Sequence, residues 1–493
     1  MINVLGEKSN KDLVGIILSI SVIFILIFLL FNIFNVSLWD DETFTLKLVR
    51  HSVNYIIQST AKDVHPPLYY LILKSVFKGF SLLNIPFNDV ILGKIVSFIP
   101  MCLLVAFSIV KLRKDFGWLT AGTFALFIIT MPNLMRFGIE IRNYSWALLF
   151  VTIGFYYAYK IASNPTKKNW ILLTIFTILS AYTHYFALAS SGIIYLVLLV
   201  YLFNKNKSEI KNWFKSTIVL ILSYLPWIFV FVGQLSSASD QTWRKPITLE
   251  SIQSYIWFIT STNPNELIGT ITIISITVLV TYYLLKRKKK MNFLVLGPFI
   301  PLGTVLIGII GSFLLTPLFD MRYMLPSLGC FWLTISFMLS KTYSKKQIFV
   351  PLLIIFLVVG AVSIGTLVED EKLNEQSVMS IYTAISEIQN NDIVIYSNIH
   401  AFWTFDEYFL RNTSNYFILE KNDPIRPSPI ITMSKIKKAL DKDKRVWLLG
   451  RDRDIHDFNK TLNKHGLIIE KFYDVIPSKD NQYIDSVWRI VEK

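Results

Sequence analysis

Cysteine is nearly absent: two residues in 493, Cys102 and Cys330, both inside apolar runs. That excludes a disulfide framework for an exported domain, and no Cys-x-x-Cys spacing exists to hold a metal. Charge is scarce as well, 17% of residues against 53% hydrophobic, and the mean hydropathy is +0.49. A soluble domain needs more polar side chains than that to cover its surface, so the composition points to a membrane protein. Acids are the rarer sign, 34 against 49 Lys and Arg, for a net charge of +15. The excess does not signal nucleic acid. The basic residues sit in short segments between apolar runs, where membrane topology requires them. No internal repeat and no low-complexity tract occurs. The first apolar run, Leu13–Phe34, exceeds a signal-peptide core and has no small-residue cleavage site after it, so it reads as a retained span.

What is present is a series of apolar runs, many of them about 18–22 residues and so long enough to cross a ~30 Å hydrocarbon core. They predict eleven spans, at 13–34, 90–110, 118–135, 145–161, 169–183, 186–203, 215–234, 267–285, 293–315, 323–340 and 348–367. A further apolar segment, Pro66–Leu83, decides the topology. If it does not cross, Lys111/Arg113/Lys114, Lys167/Lys168, Lys205/Lys207/Lys211, Lys286–Lys290 and Lys341/Lys345/Lys346 all share one side with Lys8 and Lys11, as the positive-inside rule demands. The segment also has an interfacial pattern. Pro66 and Pro67 suit a helix start, and Tyr69, Ile72, Leu73, Val76, Phe77 and Phe80 form one apolar stripe opposite Lys74, Lys78 and Ser81. The expectation is a multi-pass plasma-membrane protein with a cytoplasmic N-terminus and an extracytoplasmic C-terminal domain.

From Glu369 onward charge becomes dense and apolar runs shorten to strand length: Ile393–Tyr396, Val446–Leu449 and Leu467–Ile469, alternating with helical patterns at Val378–Ile388 and Met433–Leu440. The fold class is therefore an α-helical polytopic membrane domain, 1–368, followed by a small soluble α/β domain, 369–493. None of the motifs below falls in that domain, which leaves it an acceptor-side or accessory role.

Ionisable residues near membrane depth are costly and mark function by default. The first outer loop opens with Trp39-Asp40-Asp41-Glu42, which also suits an ordinary loop start or an Asp41 cap on a helix at 42–58. It continues with Asp63-Val64-His65-Pro66-Pro67-Leu68-Tyr69-Tyr70. Other outer segments carry Glu140-Ile141-Arg142-Asn143-Tyr144, Tyr182-Thr183-His184-Tyr185 and Asp320-Met321-Arg322-Tyr323-Met324-Leu325-Pro326. Taken singly, His184 reads as a satisfied interfacial histidine and Arg322 as a headgroup anchor. Their common placement opposite the lysine clusters sets them apart.

The Trp39–Glu42 and Asp63–Tyr70 motifs, about 20 residues apart, resemble the first external loop of the glycosyltransferase C superfamily, nearest to the family 39 group of protein O-mannosyltransferases and, more distantly, the lipid A aminoarabinose transferases. The likeness covers roughly 13–340, with the 140–144, 182–185 and 322–326 segments in support. It implies a polyprenyl-phosphate-linked sugar as donor and an acceptor that is a protein, glycan or lipid. It implies Asp41 as the base, Glu42 as its neighbour, and Asp40 as an extra acid that leaves the register open by one residue. His65, Arg142 and Arg322 are then candidates for the donor phosphate, and Asp63, Glu140, Tyr144, His184 and Tyr323 for substrate contact. No cofactor is required by the sequence, and a divalent cation at the acidic loop stays open.

The chemistry fits those residue types. An attacking hydroxyl needs a general base, and a departing lipid phosphate needs fixed cations aimed at it. A polymerase or ligase with a lipid-pyrophosphate donor is the alternative enzyme. A lipid-linked sugar carrier fits less well, because carriers place ionisable groups at mid-span. The topology has a direct check: a cysteine at Asn84 should label with an impermeant thiol reagent from outside intact cells. Labelling only after permeabilisation would reverse the eleven-span arrangement.

Overall fold

The computed structural model describes residues 2–237, 247–262, 266–286, 292–315, 317, 319–397, 401–402, 413–418, 430–481 and 484–493. Helices dominate. In chain order they are α1 (Ile2–Asn32), α2 (Asp40–Arg50), α3 (Val53–Lys62), α4 (Leu68–Leu82), α5 (Asp89–Phe107), α6 (Arg113–Phe116), α7 (Trp118–Thr130), α8 (Leu134–Ile139) and α9 (Tyr144–Ser163). There follow α10 (Lys167–Thr183), α11 (Tyr185–Lys205), α12 (Ile210–Ser237), α13 (Leu249–Thr260), α14 (Glu266–Lys286), α15 (Phe299–Leu314), α16 (Leu325–Lys341) and α17 (Lys346–Ser386). The chain forms two compact units. One comprises Met1–Phe31, Leu48–Phe87 and Leu92–Leu367; the other comprises Asn32–Lys47, Asn88–Ile91 and Val368–Lys493.

Eight helical stretches among the described residues are long and apolar enough to cross a membrane. They are Ser9–Asn32, Asp89–Phe116, Tyr185–Lys205, Lys207–Ser236, Glu266–Lys286, Phe293–Leu314, Met321–Lys341 and Lys346–Ser386. This is a multi-pass membrane protein. The three other segments expected to span are helical but shorter or less apolar. The run at 118–135 is cut to the 13 residues of α7, because Pro132 and the left-handed Asn133 (φ 62°) turn the chain. The segments at 145–161 and 169–183 become α9 and α10, the former carrying Tyr156, Tyr157, Tyr159 and Lys160 in its last turns.

α7, α9 and α16 are buried almost throughout, and α9 packs on α10, α11 and α16. The peripheral helices expose large apolar side chains: Phe24 and Phe31 on α1 are 67% and 85% exposed, and Phe229 on α12 is 81%. On a water-facing surface such a patch would drive aggregation; facing hydrocarbon it costs nothing. Helices in lipid associate by close packing, so small residues mark the crossings. α1 and α7 meet where neither carries a side chain. A Cβ on Gly122 would lie 2.2 Å from the Gly15 carbonyl oxygen, and a Cβ on Gly15 would lie 2.2 Å from the Trp118 carbonyl carbon.

The segment that follows α1 differs from expectation. The helix begins at Asp40 rather than being capped by Asp41, and it breaks at His51, where Ser52 caps α3 by accepting from Tyr55 N–H (3.2 Å). The Pro66–Leu83 segment is the 15-residue α4, which buries Tyr69, Tyr70, Leu73 and Phe77. Of the expected Lys286–Lys290 cluster, 287–290 lie outside the described residues.

The second unit holds a five-stranded sheet of order β2-β1-β3-β5-β4, where β1 is Ile393–Tyr396, β2 Ser414–Phe417, β3 Val446–Gly450, β4 Leu467–Asp474 and β5 Ser486–Glu492. β1 runs parallel to β2 and β3; β5 is antiparallel to β3 and β4. β1 and β3 are buried on both faces, which is why they read as unbroken apolar runs. Helices Met433–Leu440 and Asp452–Lys464 supply Ile436, Ile455, Phe458 and Leu462 to the core on one face. The helical pattern at 378–388 is the tail of α17, a single helix of 41 residues. The fold class is thus the one expected: a helical membrane protein with a small C-terminal α/β sheet region.

The α1–α7 crossing leaves no room for a side chain. Gly122→Leu is expected to cost well over ~2 kcal/mol, the upper part of the overpacking range, and to abolish a monodisperse detergent-solubilised protein. Gly79→Ala, in open space on α4, should leave the melting temperature unchanged or raise it.

Candidate active site

Within the first unit, the turns at the helix ends converge. His184 ends α10 and caps α11, accepting from Phe186 N–H through Nδ1 (3.1 Å), so the neutral ring carries its proton on Nε2. The His65 ring lies 5.2 Å from it, centroid to centroid, Tyr323 5.2 Å and Tyr144 5.7 Å. All four are buried: 4% exposed for His65 and Tyr323, 1% for His184 and Tyr144. The turn 140–144 is fastened to this group by the Asn143 amide, which donates to the Thr183 carbonyl (2.8 Å). Arg142, 4% exposed, points Nη1 at the Tyr70 hydroxyl (3.4 Å). Tyr70 belongs to the same helix entry as His65, after the Pro66-Pro67 pair that sets the start of α4.

α5 closes one side. Ser145 Oγ donates to Ser97 O (2.5 Å), Trp146 Nε1 donates to Val96 O (3.2 Å), and the Tyr69 and Ser97 hydroxyls share a hydrogen bond of 2.7 Å. The rings of His65, His184 and Tyr323 open onto a cleft of about 290 Å³ whose other walls are mostly apolar, including Phe186, Phe231 and Ile307. Gln234 locks its rim: its amide donates to Thr60 O (2.8 Å) and Ala61 O (3.0 Å), and its carbonyl accepts from the Tyr185 hydroxyl. Such a cleft suits a ligand with a hydrocarbon body and a polar head.

The remaining first-unit candidates lie at the margins. Asp63 ends α3 and Glu140 ends α8. Arg322 pairs with Asp320 (Nε to Oδ1, 3.5 Å), whose carboxylate also accepts from the Arg322 backbone N–H (3.1 Å). That pair is compatible with Arg322 acting as a headgroup anchor. Two residues escaped the sequence reading. Gln234 sits near the end of an apolar span, and Lys94 is 2% exposed one turn into α5; a polar residue inside an apolar run is the signal that identifies both.

The acidic turn belongs to the second unit. Asp40, Asp41 and Glu42 form the first turn of α2, where the helix dipole favours negative charge. Asp40 and Glu42 are 7% and 2% exposed, and Glu42 folds back to accept from the Trp39 N–H (3.1 Å). Asp41 is the most open of the three, with its backbone carbonyl accepting from Thr45 Oγ1 (2.7 Å). Among the described residues, no group of three or more His, Cys, Asp or Glu side chains is disposed to hold a metal ion.

No family model matches the sequence, and no curated protein matches it. Solved structures do. ArnT from Cupriavidus metallidurans in the apo state superposes with a TM-score of 0.61 at 9% identity, covering 96% of this chain and 97% of that one. The same protein bound to undecaprenyl phosphate gives 0.60 at 9% identity, with 97% of each chain covered. At that identity the likeness is one of fold.

Arg322 separates two roles by substitution. A lysine keeps the ion pair with Asp320 and snorkels as well as an arginine, but it cannot offer two parallel N–H donors to one anion. Arg322→Lys is expected to insert and express normally yet lose at least ~10-fold in turnover, or ~1.4 kcal/mol of transition-state binding. Near-normal turnover would assign Arg322 to anchoring alone.

Proposed function

We propose that the protein is a membrane glycosyltransferase that moves a monosaccharide from a polyprenyl-phosphate sugar to an acceptor hydroxyl at the outer face of the membrane. The observation that carries this reading is the apolar cleft ended by His65, His184 and Tyr323, in a chain that shares its fold over nearly its whole length with a protein solved holding undecaprenyl phosphate. An isoprenoid chain fits the apolar walls. The polar end of the cleft, formed by His65, His184 and Tyr323, suits a phosphate.

Asp41 takes the proton of the acceptor hydroxyl as its oxygen attacks the anomeric carbon from the face opposite the phosphate. The carbon–oxygen bond to the phosphate breaks, its electron pair leaves with the lipid phosphate, and the configuration inverts. Glu42, tied to the Trp39 N–H, holds the turn rather than the proton, and Asp40 is too buried to serve as readily as Asp41. His65, with Arg142 and Arg322, balances the charge that appears on the leaving phosphate, where preorganised donors have most effect.

The test is to give the purified protein a panel of undecaprenyl-phosphate sugars with membrane-extract acceptors and to measure undecaprenyl phosphate release. Asp41→Asn keeps the shape and removes the base, so turnover on the active donor should fall by ~10²–10⁴ while undecaprenyl phosphate still binds. An inactive Asp40→Asn beside an active Asp41→Asn would move the base by one residue. Full turnover in both would sink the reading.

A further inference from the structure

The acidic turn is built into the C-terminal unit, and two anchors bracket it. The first lies just before it. Asn35 donates its amide to the Glu371 carboxyl (2.8 Å) and to the Glu371 carbonyl (3.0 Å), while Asn35 Oδ1 accepts from Ser37 N–H (2.9 Å) and lies 2.5 Å from Ser37 Oγ. Ser37 Oγ also meets Asp480 (2.7 Å), and Asn374 donates to the other Glu371 oxygen (3.4 Å). Asn35, Ser37 and Glu371 are 8%, 0% and 7% exposed. The second anchor lies five residues past the turn, where the Lys47 ammonium stands 5.2 Å from the centre of the Phe402 ring. Phe402 packs with Tyr396 and Phe417 at the carboxyl ends of β1 and β2 (5.1 and 5.6 Å).

We propose that the C-terminal unit positions the catalytic carboxylates: Glu371 and Asp480, through Asn35 and Ser37, fix the turn that carries Asp41. This deepens the function proposed above and rests on it. A buried carboxyl is costly unless its lone pairs are used, and Glu371 accepts from the side-chain amides of both Asn35 and Asn374. The network therefore selects one position for the backbone at 35–37, and α2 begins three residues later. A base displaced by ~1 Å costs on the order of 10²-fold in rate. Glu371 and Asp480 are positioning residues, since they act on the reaction through the turn they hold.

The experiment uses the full chain, the donor found active in the panel, and undecaprenyl phosphate as the binding probe. Glu371→Leu should lower kcat by ~10–100-fold with the affinity for undecaprenyl phosphate unchanged. Glu371→Gln, whose carbonyl still accepts from Asn35, should recover to within about threefold of the parent. In an Asp41→Asn background, Glu371→Leu should cost less than about twofold more, because there is no longer a base to misplace; a merely structural residue would give additive losses. Should Glu371→Leu fail to fold, Ser37→Ala carries the same comparison in a milder form. Unchanged kcat in Glu371→Leu, additive losses, or a loss that follows undecaprenyl phosphate affinity overturns the proposal while leaving the glycosyltransferase reading intact. Full turnover in both Asp41→Asn and Asp40→Asn sinks this proposal and the glycosyltransferase reading together.

Discussion

One hydrogen bond, from the Asn143 amide to the Thr183 carbonyl, holds the first unit's polar residues to a common place. Both groups sit where helices end, and helix ends are where backbone polarity is exposed in a protein that lipid surrounds. By satisfying the carbonyl at the end of α10, Asn143 also fixes the residue next to it. That neighbour is His184, and Asn143 itself is flanked by Arg142 and Tyr144. A single bond thus sets a cation, a phenol and an imidazole in one register, and the rings of His65 and Tyr323 pack against that imidazole. Asn143 is 1% exposed, so losing that donor would leave a buried carbonyl unmatched.

Much of this was legible in the sequence, for reasons that differ by element. Long apolar runs of α1, α11, α12, α14 and α17 declare themselves because lipid imposes a minimum length, and β1 and β3 because burial on both faces removes alternation. The residues grouped at the cleft were legible as motifs but not as a cluster. Nothing in the spacing of His65, Arg142, His184 and Tyr323 says that four turns from distant parts of the chain close on one another. β2 was missed because Ser414-Asn415-Tyr416-Phe417 is half polar and four residues long. The break at His51 was missed because Ser52 acts as a cap only once the chain has already turned. Gln234 was overlooked inside an apolar run, although its three hydrogen bonds are what such a residue must make to be tolerated there.

The candidate carboxylates and the candidate phosphate ligands belong to different compact units. Sequence order hides this, since Asp41 and His65 are 24 positions apart and share one loop. The physical reason is local. Residues 32–47 carry Asn35, Ser37 and Lys47, whose polar ends require partners, and those partners are Glu371, Asp480 and the ring of Phe402. Residues 53–82 instead form amphipathic helices whose apolar faces bury Ile56, Tyr69, Leu73 and Phe77. One loop is therefore divided by the chemistry of its side chains, polar anchors to one unit and apolar stripes to the other.

The walls of the cleft between Phe186, Phe231 and Ile307 have a consequence for selectivity. In water each buried methylene contributes ~0.8 kcal/mol, but under the proposed function a hydrocarbon tail reaching this cleft comes from the bilayer and exchanges one apolar surrounding for another. Tail length and branching then add little affinity in either direction. Discrimination among lipids falls to the few polar groups at the closed end, where a misplaced or absent headgroup oxygen leaves buried donors unmatched. An inhibitor built to compete here would gain little from a longer chain and a great deal from the right anion.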